Sequence, residues 1–364
     1  MTHYLWRANA GANDSRQMRI ALTVDPEIPV PPGGYGGIER IVDMLARGLV
    51  TRGHEVTIFA HSDSTTAGRL IAWPGRMSQS RHDTVRNALT LVRHIAGGSF
   101  DLVHSFSRVA YLAPLLPLSL PKLMTYQRHI SLRSVRLGHN LSRGTLWFTA
   151  ISRFLIRDVE TIGRWKLVFN GVSLTDYDFC SNPGPDAPLV FLGRVEEIKG
   201  PHLAIEIARR SGVRLVIAGN VPQDHAAFFD RAIRPHVDGS RVTYVGPVDN
   251  QAKNALLGRA RALLMPVLWD EPFGIVMAEA MACGTPVIGL ARGAVPEVVD
   301  DAVTGYVADD TDGLVEAVLR LDRIDRKACR VRVGNLFSDE VIVPQYEAIY
   351  HEMLGITAGL ELSA

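Results

Sequence analysis

Cysteine is scarce. The 364 residues contain three, Cys180, Cys283 and Cys329, too few and too scattered for a disulfide framework, and no Cys-x-x-Cys pair or Cys/His cluster at zinc spacing occurs. Such usage fits a reducing compartment. A charge surplus is also missing. With 39 Lys and Arg against 38 Asp and Glu the net charge is +1, which argues against general nucleic-acid binding, because phosphate recognition needs a strong basic excess. No apolar run reaches the roughly 18 residues of a membrane span; the nearest, 111–120, is short and broken by Pro114 and Pro117. The start of the chain is polar and mixed, without the apolar stretch of about 7–15 residues that a signal peptide requires. The expected location is the cytoplasm.

What is present is ordinary for a globular chain, 47% hydrophobic and 21% charged, and at about 150 residues per domain the length predicts two domains. The charge is unevenly shared. Residues 1–182 carry 21 basic against 13 acidic side chains (+8), and residues 183–364 carry 18 against 25 (−7). The first half should therefore prefer an anionic partner or surface.

Short β-branched runs alternate with helical stretches. RIALTVD (19–25) is followed by GIERIVDMLARGLVTRG, where Ile38, Ile41, Val42, Leu45, Leu49 and Val50 recur at the helical period and Gly53 supplies a stop, and then by EVTIFAH (55–61). Further strands are expected at 102–106, 122–126, 148–152 and 166–170. SNPGPDAP (181–188) has no periodicity and reads as a linker. A second series follows, with strands at 189–193, 214–219, 241–246, 262–267 and 286–291 and helices at 201–210, 250–260 and 275–282. The fold class predicted is α/β, two Rossmann-like doubly wound parallel sheets facing across a cleft, with ligands at the carboxyl ends of the strands. The divisions are an extension over 1–17, a first lobe over 18–180, the linker, a second lobe over 189–343 and a C-terminal segment over 344–364. That segment's helix, 344–354, is expected to cross back to the first lobe.

Three segments carry candidate chemistry. PPGGYGGIER (31–40) places Gly33, Gly34, Gly36 and Gly37 between a strand and a helix, where backbone can approach an anion closely, although the G-x-G-x-x-G dinucleotide spacing is absent. GRVEEIKG (193–200) puts Arg194 and Lys199 near a strand's carboxyl end, able to neutralise a diphosphate. In DEPFGIVMAEAMACGTPVIG (270–289), Glu271 precedes a helix and Glu279 lies eight residues on. Both can address one side of that helix end, and a carboxylate among Ile275, Val276, Met277 and Ala278 needs a partner such as a ligand hydroxyl.

The pattern E-P-F-G-x-x-x-x-E followed by A-x-x-C-G-T-P-V-I resembles the signature of the retaining, nucleotide-sugar-dependent glycosyltransferases of family 4, which have the two-lobed GT-B fold. GGYGGIER, RGHEVTIFA, AISRF, VFNGV with Phe169, Asn170 and Gly171, GRVEEIKG and QYEAIY support the likeness, which runs from about residue 18 to 354. It implies that Arg194 and Lys199 hold the donor diphosphate, that Glu271 contacts hydroxyls of the transferred sugar and that Glu279 holds the ribose. The backbone of Phe273, Gly274 and Ile275 would cap the phosphates, with Gly36 and Gly37 closing from the first lobe. One place departs. Many relatives have Thr-x-His at the end of a first-lobe strand, and here it reads Thr125-Tyr126-Gln127, leaving Gln127 or His129 as the replacement.

The activity implied is metal-independent, cofactor-free transfer of a sugar from a UDP- or GDP-linked donor to a hydroxyl of a glycan, lipid-linked or small-molecule acceptor. The expected mechanism is same-face attack. Alternatives are a catalytically silent sugar-nucleotide-binding subunit, a GT-B sugar-nucleotide epimerase and a two-lobed solute-binding protein. Asp176-Tyr177-Asp178 matches the Asp-x-Asp metal motif of the other large glycosyltransferase fold but reads as a turn. His104 reads as a satisfied strand residue and Cys283 as a small helix-end residue. RHISLRSVRLGHNLSR (128–143), with four arginines and no acid, is either a solvated basic helix or a site for an anionic acceptor or an anionic membrane surface.

Overall fold

The computed structural model describes residues 16–34, 36–98 and 100–356. Tyr35 of the glycine loop, most of the 1–17 extension and the end of the 344–364 segment lie outside the described residues.

The first lobe runs β1 (Arg19–Thr23), α1 (Gly37–Thr51), β2 (Glu55–Ala60), β3 (Arg69–Ala72), α2 (Arg81–Gly97), β4 (Leu102–Ser105) and α3 (Val109–Leu112). It continues with β5 (Lys122–Tyr126), α4 (Leu132–Ser142), β6 (Leu146–Ala150), α5 (Arg153–Ile156) and β7 (Trp165–Leu167). Its seven strands are ordered β3-β2-β1-β4-β5-β6-β7 and every pairing is parallel.

The second lobe runs β8 (Leu189–Leu192), α6 (Pro201–Ser211), β9 (Leu215–Ala218), α7 (Ala226–Ala232), β10 (Val242–Gly246), α8 (Asn250–Gly258) and β11 (Ala262–Met265). After it come α9 (Ile275–Ala282), β12 (Val287–Leu290), α10 (Val295–Val298), β13 (Gly305–Ala308), α11 (Thr311–Leu319), α12 (Arg326–Leu336) and α13 (Asp339–Met353). Six strands form the parallel order β10-β9-β8-β11-β12-β13. Central strands such as LLM and VIGL are buried along their length because helices cover both faces. Each sheet reverses its winding direction at its middle, between β1 and β4 and between β8 and β11, and such switch points open a crevice at the strands' carboxyl ends.

Three expectations change. Strands β3 and β13 have no counterpart in the sequence reading. The strand expected over 166–170 is Trp165–Leu167. The last helix begins at Asp339, not Pro344, so Pro344 lies inside it. A proline inside a helix forfeits one backbone hydrogen bond; here Ile342 and Val343, in the turn before it, are buried on the first lobe among Ile20, Leu22, Ile41 and Leu45, and that burial outweighs the loss. The outgoing and returning chains touch where they pass between lobes. Val172 N–H donates to Phe337 O at 2.8 Å and Asp339 N–H to Val172 O at 3.1 Å.

Candidate active site

A cavity of about 360 Å³ opens at the carboxyl ends of β8, β9, β10 and β11 and is roofed by the first lobe. Its floor is backbone-rich. Gly219, just after β9, has φ +142 and an added Cβ would lie 1.8 Å from Gly193 O, so these two strand ends can converge only with glycine there.

Two helices aim their N-termini into this space. α9 is capped by Gly274 at φ +73 and α1 by Gly36, neither with a side-chain cap, so the first-turn N–H groups remain available to an anion. The two ends approach closely: a carbon added to Gly37 would sit 3.8 Å from Ile275 Cγ2. Around them the cavity is lined by Arg40, Arg194, Lys199, Lys253, Glu271 and Glu279.

The acids are pinned in matching ways. Glu271 Oε2 accepts from Lys199 Nζ at 2.8 Å and from Trp269 Nε1 at 3.0 Å, with the ammonium 4.4 Å from the Trp269 ring centre. Glu279 Oε1 accepts from the Tyr177 hydroxyl at 2.8 Å and pairs with Lys253. Among the described residues nothing donates to Glu271 Oε1 or Glu279 Oε2, so each carboxylate keeps one oxygen for a ligand hydroxyl. Burial, followed by the Glu279 charge, holds the Tyr177 phenol far above its ordinary range, so it stays a donor. Backbone fixes the loops that bear these groups. Ala294 N–H donates to Glu271 O at 2.8 Å, and Gly200, at φ +73, presses the Lys199 turn against β11's end, where an added Cβ would meet Pro266 O at 2.0 Å. Arg194 Nη1 lies 2.8 Å from Glu196 Oε1.

The expected residues divide into two groups. Gly36, Gly37, Arg194, Lys199, Glu271, Gly274, Ile275 and Glu279 all line the cavity. Phe273 does not: its ring is buried against Phe169 and Phe337, at 6.2 and 5.5 Å between centres, and anchors the loop from behind. Gln127 and Asn170 exchange two amide hydrogen bonds of 2.8 Å, outside the cavity lining, and His129 is exposed. His104 bonds Tyr350 and Thr125, each at 2.6 Å, and complete burial holds its pKa well below 6.5, so the ring is neutral. Cys283 is a buried helix-end residue, its thiol pushed up to about 12 by burial. In Asp176-Tyr177-Asp178 the middle residue meets the site, through its hydroxyl on Glu279 Oε1, while Asp178 accepts from Asn254 at 2.8 Å. Among the described residues no three His, Cys, Asp or Glu side chains are grouped as metal ligands, and no helix is long and apolar enough to cross a membrane.

Arg40, Asn220, Trp269 and Lys253 also belong to the site, with no motif to mark them, and Tyr177 joins it from the Asp176-Tyr177-Asp178 turn. Arg40, on α1, reaches across to Asn250 Oδ1 of the second lobe at 2.5 Å. Asp25, just beyond β1 in the first lobe, has a buried oxygen without a partner; burial, with Glu27 adding to it and Arg128 and Arg108 opposing, raises its pKa to about 6.

Two parallel α/β sheets with a cation-lined cleft at their facing carboxyl edges define a GT-B type protein. Family matches agree. Residues 35–174 match the model for Glycosyltransferase Family 4 and residues 181–330 that for glycosyl transferases group 1; the chain belongs to this family of GT-B glycosyltransferases. Over 157 residues it is 32% identical to N-acetyl-alpha-D-glucosaminyl L-malate synthase of Bacillus anthracis, a match that spans 41% of this chain and 40% of that protein. Among solved structures, sucrose-phosphate synthase from Thermosynechococcus elongatus superposes with a TM-score of 0.80 at 21% identity, covering 94% of this chain and 100% of that one. Anabaena Alr3699/HepE in complex with UDP and glucose superposes with a TM-score of 0.72 at 17% identity, covering 92% and 100%.

Proposed function

We propose that the protein is a retaining glycosyltransferase that moves a sugar from a UDP- or GDP-linked donor to an acceptor hydroxyl without a metal ion. The carrying observation is the convergence of Arg194, Lys199 and two uncapped helix N-termini on one cavity, with two half-free carboxylates beside them. The complex of a structural neighbour with UDP and glucose is consistent with a uridine donor.

In this reading the diphosphate lies between the ends of α1 and α9, Glu279 Oε2 accepts from the ribose hydroxyls and Glu271 Oε1 from the transferred sugar. As the bond from the anomeric carbon to the diphosphate oxygen breaks, its electron pair passes to the phosphate. Arg194, Lys199 and the helix ends stabilise that charge in place from the outset. The acceptor oxygen bonds the anomeric carbon on the face the diphosphate leaves, and its proton passes to the departing phosphate oxygen. Asp25, at the first lobe's strand ends, is placed to orient the acceptor. Closure of the lobes, with Arg40 on Asn250 as a latch, keeps water from the sugar.

Thermal unfolding with UDP, GDP, ADP or CMP, each with and without EDTA, tests the reading. A ligand at 100 times its Kd adds about 2.7 kcal/mol, which shifts Tm by several degrees in a chain of this size. A shift with UDP or GDP that survives EDTA is expected, and transfer to an acceptor, not epimerised donor, should follow. No shift with any nucleotide, or one abolished by EDTA, overturns the proposal.

A further inference from the structure

α12 supports the donor site from outside it. On one face of this helix Arg326 and Arg330, one turn apart, turn toward the chain that crosses between β7 and β8, and among the described residues they bond no carboxylate. Arg326 donates to the carbonyl oxygens of Cys180, Gly258 and Ala260 and to the Thr285 hydroxyl at 2.7–3.0 Å. Arg330 is placed differently. Its Nη1 donates to Tyr177 O at 2.7 Å and to Ala282 O at 2.5 Å, and its Nη2 to Leu174 O at 3.0 Å. Ala282 ends α9, the helix that bears Glu279 three residues earlier, and Tyr177 is the residue whose hydroxyl donates to Glu279 Oε1. One guanidinium nitrogen therefore joins the backbone behind both members of that hydrogen bond.

Tyr177 has no strand or long helix to hold it, since it follows a single short turn, Leu174–Asp176. It shares Glu279 Oε1 with Lys253. Two donors on one oxygen fix its direction, whereas with Lys253 alone, a compact charge on a flexible stem, the carboxylate can swing about that contact. We propose that Arg330 is a positioning residue for donor binding: by holding the Tyr177 carbonyl to the end of α9 it keeps the Tyr177 hydroxyl on Glu279 Oε1 and so turns Oε2 toward the ligand. Arg330 does not itself line the cavity. The inference rests on the reading that Glu279 receives the ribose hydroxyls.

The test is calorimetric titration of the full chain with UDP and GDP, each beside its 2′,3′-dideoxy form, which lacks both ribose hydroxyls. Hydrogen bonds to a charged oxygen should make the parent prefer the ordinary form of its nucleotide about tenfold or more. R330Q and Y177F should each cut that preference to about threefold or less, chiefly by weakening the ordinary nucleotide. Because the two residues act in series, R330Q/Y177F should bind the ordinary nucleotide no more weakly than the weaker single variant. R330K keeps the charge but not the fork, so it should resemble R330Q and stands in for it if R330Q does not fold. R332Q is the control. Arg332, on the same helix, holds Val298 O and Glu297 O and does not line the cavity, so its loss should lower Tm and leave the preference intact. A parent that binds neither nucleotide, or shows no preference, overturns the ribose role of Glu279 and this inference with it. A parent with the preference, retained in folded R330Q, R330K or Y177F, overturns this inference alone. So do losses that multiply in the double variant, or a preference lost equally in R332Q.

Discussion

Replacing Lys253 by methionine removes the cation beside Glu279 while keeping most of the side chain's volume. The pair is deeply placed, its side chains 9% and 5% exposed, and breaking a buried ion pair by deleting one partner costs about 3–5 kcal/mol, because the other charge is stranded. The lower end applies here. Tyr177 still donates to Glu279 Oε1, and the cavity admits water to the other oxygen. A loss of about 3 kcal/mol corresponds to a fall in Tm of roughly 6–12 °C for a lobe of this size. Scanning calorimetry with and without UDP reads the effect, and the variant should also lose most of its nucleotide response. A double-mutant cycle with Glu279→Gln separates the pair from general damage: the double variant should be at least about 1 kcal/mol more stable than the sum of the single losses requires. A Lys253→Met protein within about 0.5 kcal/mol of the parent, or strict additivity, would refute the argument that Lys253 holds the Glu279 carboxylate in place.

Glu271→Ala should reduce turnover about 100-fold or more by deleting its proposed contact with the reacting sugar, with affinity for the nucleoside diphosphate nearly unchanged in calorimetric titration; lost nucleotide binding would contradict that role. Asp25 is an acid whose folded pKa, about 6, exceeds its ordinary value of 3.8. The folded state therefore holds a proton the unfolded chain has released between those limits, and stability falls as pH rises through that window. Asp25→Asn should flatten this limb of the Tm profile and be the more stable protein at pH 7, by about 3 kcal/mol; an unchanged profile counts against the burial argument. Gly200→Ala should cost several times more stability than Gly212→Ala. Both sit near φ +72, but only the first would drive a Cβ to 2.0 Å from a carbonyl oxygen while the second meets nothing within 4 Å, so two melting curves decide the point.

The central strands and the helices α1, α6 and α9 were legible because burial on two faces, or on one stripe, writes itself as an apolar run or a helical period. The edges were not. β3 is four residues long with a single buried one, and β13 closes the other sheet; an edge strand lacks one neighbour and keeps less apolar character. Within the site, charged residues flanked by glycine and proline could be read, since the punctuation betrays a loop at a strand's end. Lys253 could not. In NQAKNALLG it looks like any outward lysine, and its burial depends on Tyr177 and Glu279, brought in from distant segments. Tyr177 was masked by its flanking aspartates, which drew attention to a turn. Gln127 and His129 stand where the resemblance puts a sugar-contacting histidine, yet the amide is engaged with Asn170 and the imidazole faces outward, a distinction of side-chain direction that spacing does not encode.

The return of α13 to the first lobe has a consequence for synthesis. Tyr346 and Tyr350 close the polar cluster around His104, and Ile342 and Val343 complete the apolar layer over β1. Roughly 170 residues separate these groups from β7, so at about 5–20 residues per second the first lobe leaves the ribosome some ten to thirty seconds before the helix that seals it. During that interval its apolar flank beside α1 stands open. Both sheets come from uninterrupted stretches, but the first lobe waits for α13, the last helix, so the part of the chain made first is also among the last to be completed.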